Sequence, residues 1–288
     1  MSGKMATSEQ IEKFNENGYL VIPEFLNSEE VQLLKSECSK LINEMNPSEH
    51  KSVFITGKNQ KGEEYFLTSG DKIRYFFEED AINEKGEFIV SKEDSLNKIG
   101  HALHWWNDVF KKITFSQKIK NLIKNFGFID PLVVQSMYIF KNPKVGGKVV
   151  CHQDATYLYT DPVKLLGLWF PLEDTTLENG CLWFLPGSHK GEVYQRYICN
   201  STTGASLIST STAPIYNEDE FVPAIVSKGS CVLIHGKVIH KSEKNLSSKP
   251  RPAYTFHIIE NHNTIYSKDN WLQPTSNLAF PSLYREDV

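Results

Sequence analysis

The spacing of apolar residues changes at Pro131, and that change limits the fold more than any other feature of the chain. Before it, apolar side chains recur at helical intervals between capping signals. After it come short runs rich in β-branched and aromatic residues, such as "LVVQSMYIF", "GSCVLIHG" and "AYTFHIIEN", with Asn179-Gly180 as a turn signal before "CLWFLPGSH". Helices first and strands later predict one α+β domain in which helices back an antiparallel sheet or sandwich. No repeat or linker-like stretch divides the 288 residues, so the chain is expected to form a single domain over 1–288.

Within the helical part, about 7–127, Thr7 with Gln10 and Asn27 with Glu30 form capping boxes. The first precedes a helix stopped by Asn17-Gly18. The second opens a helix with Val31, Leu34, Cys38, Leu41, Ile42 and Met45 on one stripe. Further helices are predicted over "SLNKIGHALHWWNDVFKKIT" and "SQKIKNLIKNFG". The segment 50–90 is charged, glycine-punctuated and interleaved with aromatics, and reads as a cover over an active site.

A net charge of −4 offers no basic excess for a nucleic-acid backbone, and no apolar run approaches the roughly 20 residues of a membrane span. Five scattered cysteines without CxxC spacing suggest neither a disulfide framework nor a structural zinc site. With a polar start to the chain, these features lead to the expectation of a cytoplasmic protein with reduced thiols.

The chemistry begins with His152-Gln153-Asp154. On an extended chain, residues two apart share a face, so His152 and Asp154 could ligate one ion. Nine histidines in a chain of this acidity give roughly one such match by chance, so the triplet alone decides nothing. A third ligand could come from His235, His240, His257 or His262, and spacing does not choose among them. His240 has the most informative surroundings: Ser242 lies two positions on, and Arg251 opens the next strand. An arginine fork with a hydroxyl suits a carboxylate. Two histidines, one carboxylate and an anion grip fit the facial triad of non-haem Fe(II) oxygenases. The same ligands could hold Zn2+ in a hydrolase, and a jelly-roll binding or sensor protein without turnover is the third alternative.

The blocks "HQD", "LENGCLWFLPGSH" and "GSCVLIHGKVIHKSEKN…RPAYTFH", with "YFLTSGDKIRYFFEEDAINEKGEFIV" and "LNKIGHALH" upstream, resemble the phytanoyl-CoA dioxygenase family of Fe(II)- and 2-oxoglutarate-dependent oxygenases. The resemblance implies a double-stranded β-helix, the cupin-like jelly roll, over about 131–262, with N-terminal and buttressing helices. It implies that His152, Asp154 and His240 bind iron and that Arg251, helped by Ser242, clamps the distal carboxylate of 2-oxoglutarate. Lys98, Met137 and Trp169 would line the cosubstrate pocket. The implied activity decarboxylates 2-oxoglutarate to succinate and CO2 with O2, supported by ascorbate, and hydroxylates an unidentified small molecule. Asp154 favours hydroxylation over halogenation, because related halogenases lack the carboxylate. No basic cluster is set aside for the phosphates of coenzyme A, and a monomer is expected. Of the other histidines, His101 and His104 are read as packing, His189 as shaping the barrel mouth, and His235 and His257 as structural.

Overall fold

The computed structural model describes residues 6–46, 53–54, 64–81, 83, 87–200 and 204–285. Both capping boxes form. The Gln10 N–H donates to Thr7 Oγ1 at 3.2 Å and the Thr7 N–H to Gln10 Oε1 at 2.9 Å, opening the helix Ser8–Asn17. That helix stops at Gly18, whose φ of 81° lies where side chains are strained. The helix Ser28–Glu44 starts at Asn27 and buries Val31, Leu34, Cys38 and Ile42, while Gln117–Asn125 buries Ile119, Leu122 and Ile123. These faces join one apolar core with Tyr138, Leu168, Phe170, Leu233, Tyr254 and Phe256 from the outer face of a large sheet.

That sheet has eight strands. From one edge to the other they are Tyr19–Ile22, Cys231–His235, Leu165–Pro171, Ala253–Glu260, Pro131–Ile139, Leu96–His101, Ile73–Glu78 and Val53–Phe54. All pairings are antiparallel except the last. A smaller antiparallel sheet, in the order Val222–Ala224, Leu182–Phe184, His240–Ser242 and Val149–His152, completes the cupin-like jelly roll. A second apolar cluster, including Trp169, Ile234 and Ala253 of the large sheet and Leu182, Phe184 and Ala224 of the small one, joins the two.

Two segments differ from the sequence expectation. Leu96–His101 is a strand rather than the start of a long helix; helical structure begins only at Leu103–Trp106 and resumes at Asp108–Thr114. Leu96, Ile99 and Leu103 have helical spacing, but Leu96 and Ile99 instead serve a strand whose residues Lys98–His101 pair with Ser136–Ile139. The segment 50–90, expected as a cover, contains a strand of the large sheet. Ile73–Glu78 is an inner strand with Phe76 and Phe77 fully buried, and among the described residues of the segment Phe66, from the short helix Glu64–Leu67, and Glu78 line the interior cavity. Residues 50–52, 55–63, 82 and 84–86 of that segment lie outside the described residues. The helical part about 7–127 is thus interrupted by strands that widen the sheet.

Candidate active site

The small sheet sets the metal-ligating side chains. His152 ends one strand and His240 begins its neighbour, and the two are directly paired across the ladder. Their rings therefore meet, with centroids 4.2 Å apart. A short 3-10 turn from Asp154 to Thr156 follows His152 and brings Asp154 back toward both histidines. Asp154 Oδ1 lies 3.7 Å from Nε2 of each, and the three ligating atoms fall within 4.8 Å of one another.

Hydrogen bonds set the tautomers. The Nδ1–H of His152 donates to the Val150 carbonyl at 2.9 Å, and that of His240 to the Val238 carbonyl at 3.1 Å. A carbonyl can only accept, so each neutral ring turns an Nε2 lone pair toward Asp154 and the space between them. Burial, helped by His152 and opposed by Asp154, pushes His240 down to about 4 and keeps it uncharged at neutral pH. Burial pushes the Asp154 carboxyl up, but the imidazoles of His257, His240 and His152 outweigh it and hold the group well below the usual carboxylate range. A carboxylate between two outward lone pairs is a donor set for a divalent cation, so the residues present fit Fe(II).

Across the cavity, Arg251 is buried at the entrance to the strand Ala253–Glu260, its guanidinium 5.1 Å above the Trp169 ring. Among the described residues its Nε and Nη1 have no hydrogen-bond partner, and Nη2 has only a long 3.5 Å contact to Ser242 Oγ. The Ser242 hydroxyl donates to the Gly180 carbonyl at 2.8 Å, which leaves its lone pairs toward Arg251. Burial lowers Arg251 only to about 10, so it stays charged. A buried cation with unmet donors fits a carboxylate ligand.

One cavity of about 490 Å3 is lined by all eight residues singled out in the sequence: His152, Asp154, His240, Arg251, Ser242, Trp169, Met137 and Lys98. The last three come from the large sheet. Met137 fits beside Gly100, where an added Cβ would stand 3.3 Å from its Cγ. Lys98 is buried with Nζ 5.5 and 5.3 Å from the Phe66 and Phe76 ring centroids, and burial lowers it to about 7.

Several lining residues escaped the sequence reading. His257, expected to be structural, stands with Nε2 3.3 Å from Asp154 Oδ2. Lys141, lowered to about 7 by burial and by Arg251, also reaches the cavity, as do Phe66 and Trp271, stacked at 4.4 Å. His101 lines it as well, its Nδ1 2.8 Å from Ser69 Oγ, whereas His104 pairs with Ser136 beneath the sheet. His189 packs against the N-terminal helix, contacting the Asn15 carbonyl, and is absent from the cavity wall.

The fold and site together define a class: jelly-roll proteins with a two-histidine, one-carboxylate face opposite a buried cation. Within it, the chain belongs to the phytanoyl-CoA dioxygenase (PhyH) family, whose model matches residues 14–253. It is 47% identical over 286 residues to phytanoyl-CoA dioxygenase domain-containing protein 1 of Danio rerio, covering 96% of this chain and 98% of that protein. The homolog from Caenorhabditis elegans is also 47% identical, over 96% and 98% of the two chains. Solved structures share the fold at low identity. The epimerase SnoN, in complex with Fe3+, alpha ketoglutarate and nogalamycin RO, aligns with TM-score 0.61 and 14% identity over 96% of this chain and 97% of its own. EctD from S. alaskensis with bound Fe aligns with TM-score 0.60 and 15% identity over 91% and 80%.

Proposed function

We propose that this protein is an Fe(II)- and 2-oxoglutarate-dependent dioxygenase that hydroxylates a small molecule. The observation that carries the reading is the pairing, in one cavity, of the His152, Asp154 and His240 donor set with Arg251, a buried cation with no ion-pair partner among the described residues. His152, Asp154 and His240 would hold the iron on one face, leaving its other positions to the cavity. Arg251 would take the distal carboxylate of 2-oxoglutarate through its free donors, with Ser242 fixing the guanidinium and Trp169 covering it. Lys98 and Met137 complete the pocket wall in this reading.

Bound together, Fe(II), 2-oxoglutarate and O2 would supply the oxidation, in which 2-oxoglutarate loses CO2 and takes one atom of O2 to become succinate, while the other atom is inserted into a substrate C–H bond. The chain's own part is to orient and to exclude water. Phe66, Trp271 and Tyr197 form an aromatic wall that would keep solvent from the reacting C–H bond. A hydrolase using the same ligands has no use for Arg251, and its turnover would not depend on O2. The test is a metabolite screen, acyl-CoAs included, coupled to 2-oxoglutarate consumption with Fe(II) and ascorbate under 18O2. The expected result is a hydroxylated product and succinate, each carrying one 18O atom; substrate turnover that persists under argon would replace this reading with hydrolysis.

A further inference from the structure

Asp154 divides its two oxygens between different partners. Oδ1 faces the two ligating histidines at 3.7 Å each, whereas Oδ2 is buried, faces His257 Nε2 at 3.3 Å and has no formed hydrogen bond among the described residues. Three residues in one row of the large sheet build this contact. In the ladders, His257 on the central strand lies directly between Gln135 on one neighbour and Gly167 on the other. A register shift between His257 and Ile258 in the pairing with Pro131–Ile139 marks a bulge at the ring.

Each member of the row has a separate job. Gln135 Nε2 lies 3.2 Å from His257 Nδ1; an amide nitrogen can only donate, so the proton of the neutral ring sits on Nε2, toward Asp154. The opposite amide orientation would put a proton on Nδ1 and set an Nε2 lone pair against the carboxylate. Gly167 supplies space: a Cβ there would come within 3.1 Å of Asp154 Oδ2 and 3.4 Å of His257 Nε2.

We propose that His257, oriented by Gln135 and admitted by Gly167, is a positioning residue that holds Asp154 Oδ2 so that Oδ1 alone is presented to the metal. The inference rests on the metal reading of the triad. The 3.3 Å contact makes His257 an outer neighbour of the ligand, and such neighbours commonly change metal affinity by about 10- to 100-fold when removed. His257 reaches Asp154 from the opposite sheet, so it also ties the ligand-bearing turn to the rigid wall.

The test is titration of the full-length protein with Mn(II), read from the electron paramagnetic resonance of the free ion and independent of turnover. His257→Phe, which fills the space but cannot donate, should raise the Kd by about 10- to 100-fold. His257→Gln, whose amide can donate from a similar position, should recover most of the affinity. Gln135→Leu and Gly167→Ala should fall between these and the parent, and they carry the test if His257→Phe does not fold. A folded His257→Phe protein, or folded Gln135→Leu and Gly167→Ala proteins, with parental Kd would overturn the proposal while leaving the triad intact. Equal Mn(II) binding by Asp154→Ala would overturn the metal reading itself, and this inference with it.

Discussion

The two sheets of the jelly roll are built to different ends. In the large sheet, all seven residues of Leu165–Pro171 and all eight of Ala253–Glu260 are buried, sealed by helices outside and the cavity inside. The strands of the small sheet are three or four residues long, yet they or the turns beside them carry His152, Asp154, His240 and Ser242. The metal-ligating side chains are therefore largely separate from the main core, and the large sheet reaches into the site through Lys98, Met137 and Trp169, through Arg251 at the entrance to one strand, and through the row of Gln135, His257 and Gly167. Substitutions in the two sheets should divide along that line.

The largest effect on folding is expected at Leu233, fully buried between the large sheet and its helices. Leu233→Ala should cost about 2–5 kcal/mol in denaturant unfolding while the folded protein keeps its Mn(II) affinity. Arg251→Met should do the reverse. Anaerobic 2-oxoglutarate binding should weaken by about 2–5 kcal/mol, roughly 30-fold or more, because a buried carboxylate would lose its partner. The ligand-free protein should be no less stable, since a buried cation with two unpaired N–H groups is removed.

A smaller effect separates the sheets by pH. Burial lowers His104, beneath the large sheet, to about 3, whereas the unfolded chain takes up this proton near 6.5. The stability it secures is present above pH 6.5 and is lost as pH falls toward 3. By pH 5 the loss is about 2 kcal/mol, and His104→Phe should reduce the pH 7 to pH 5 difference in unfolding free energy by that amount. Least of all, Asn27→Ala removes the N-cap of Ser28–Glu44 and should lower stability by about 1 kcal/mol, read as a drop in Tm, with no change in metal or 2-oxoglutarate binding.

What could be read from the sequence follows from how local its cause is. The capped helices and the strands around Pro131–Ile139, Cys231–His235 and Ala253–Glu260 are written in short-range pattern, and they appear where expected. Leu96–His101 and Ile73–Glu78 are strands because their neighbours pair with them; "LNKIGHAL" has helical spacing, and a strand buried on both faces shows no clean alternation. The triad was reachable only through long, specific blocks, because spacing alone left four histidines open for the third position. His257 was missed since its role depends on Asp154, Gln135 and Gly167, which only the ladder brings together.

In the proposed reading, Asp154 with two histidines commits this cavity to 2-oxoglutarate oxidation. Succinate formed from 2-oxoglutarate should be counted with Fe(II), in air and under argon, for the parent protein and for Asp154→Ala. The expected outcome is O2-dependent succinate from the parent and none above background from Asp154→Ala. Equal succinate from both proteins, or none from an iron-loaded parent supplied with a substrate found in the metabolite screen, would contradict it.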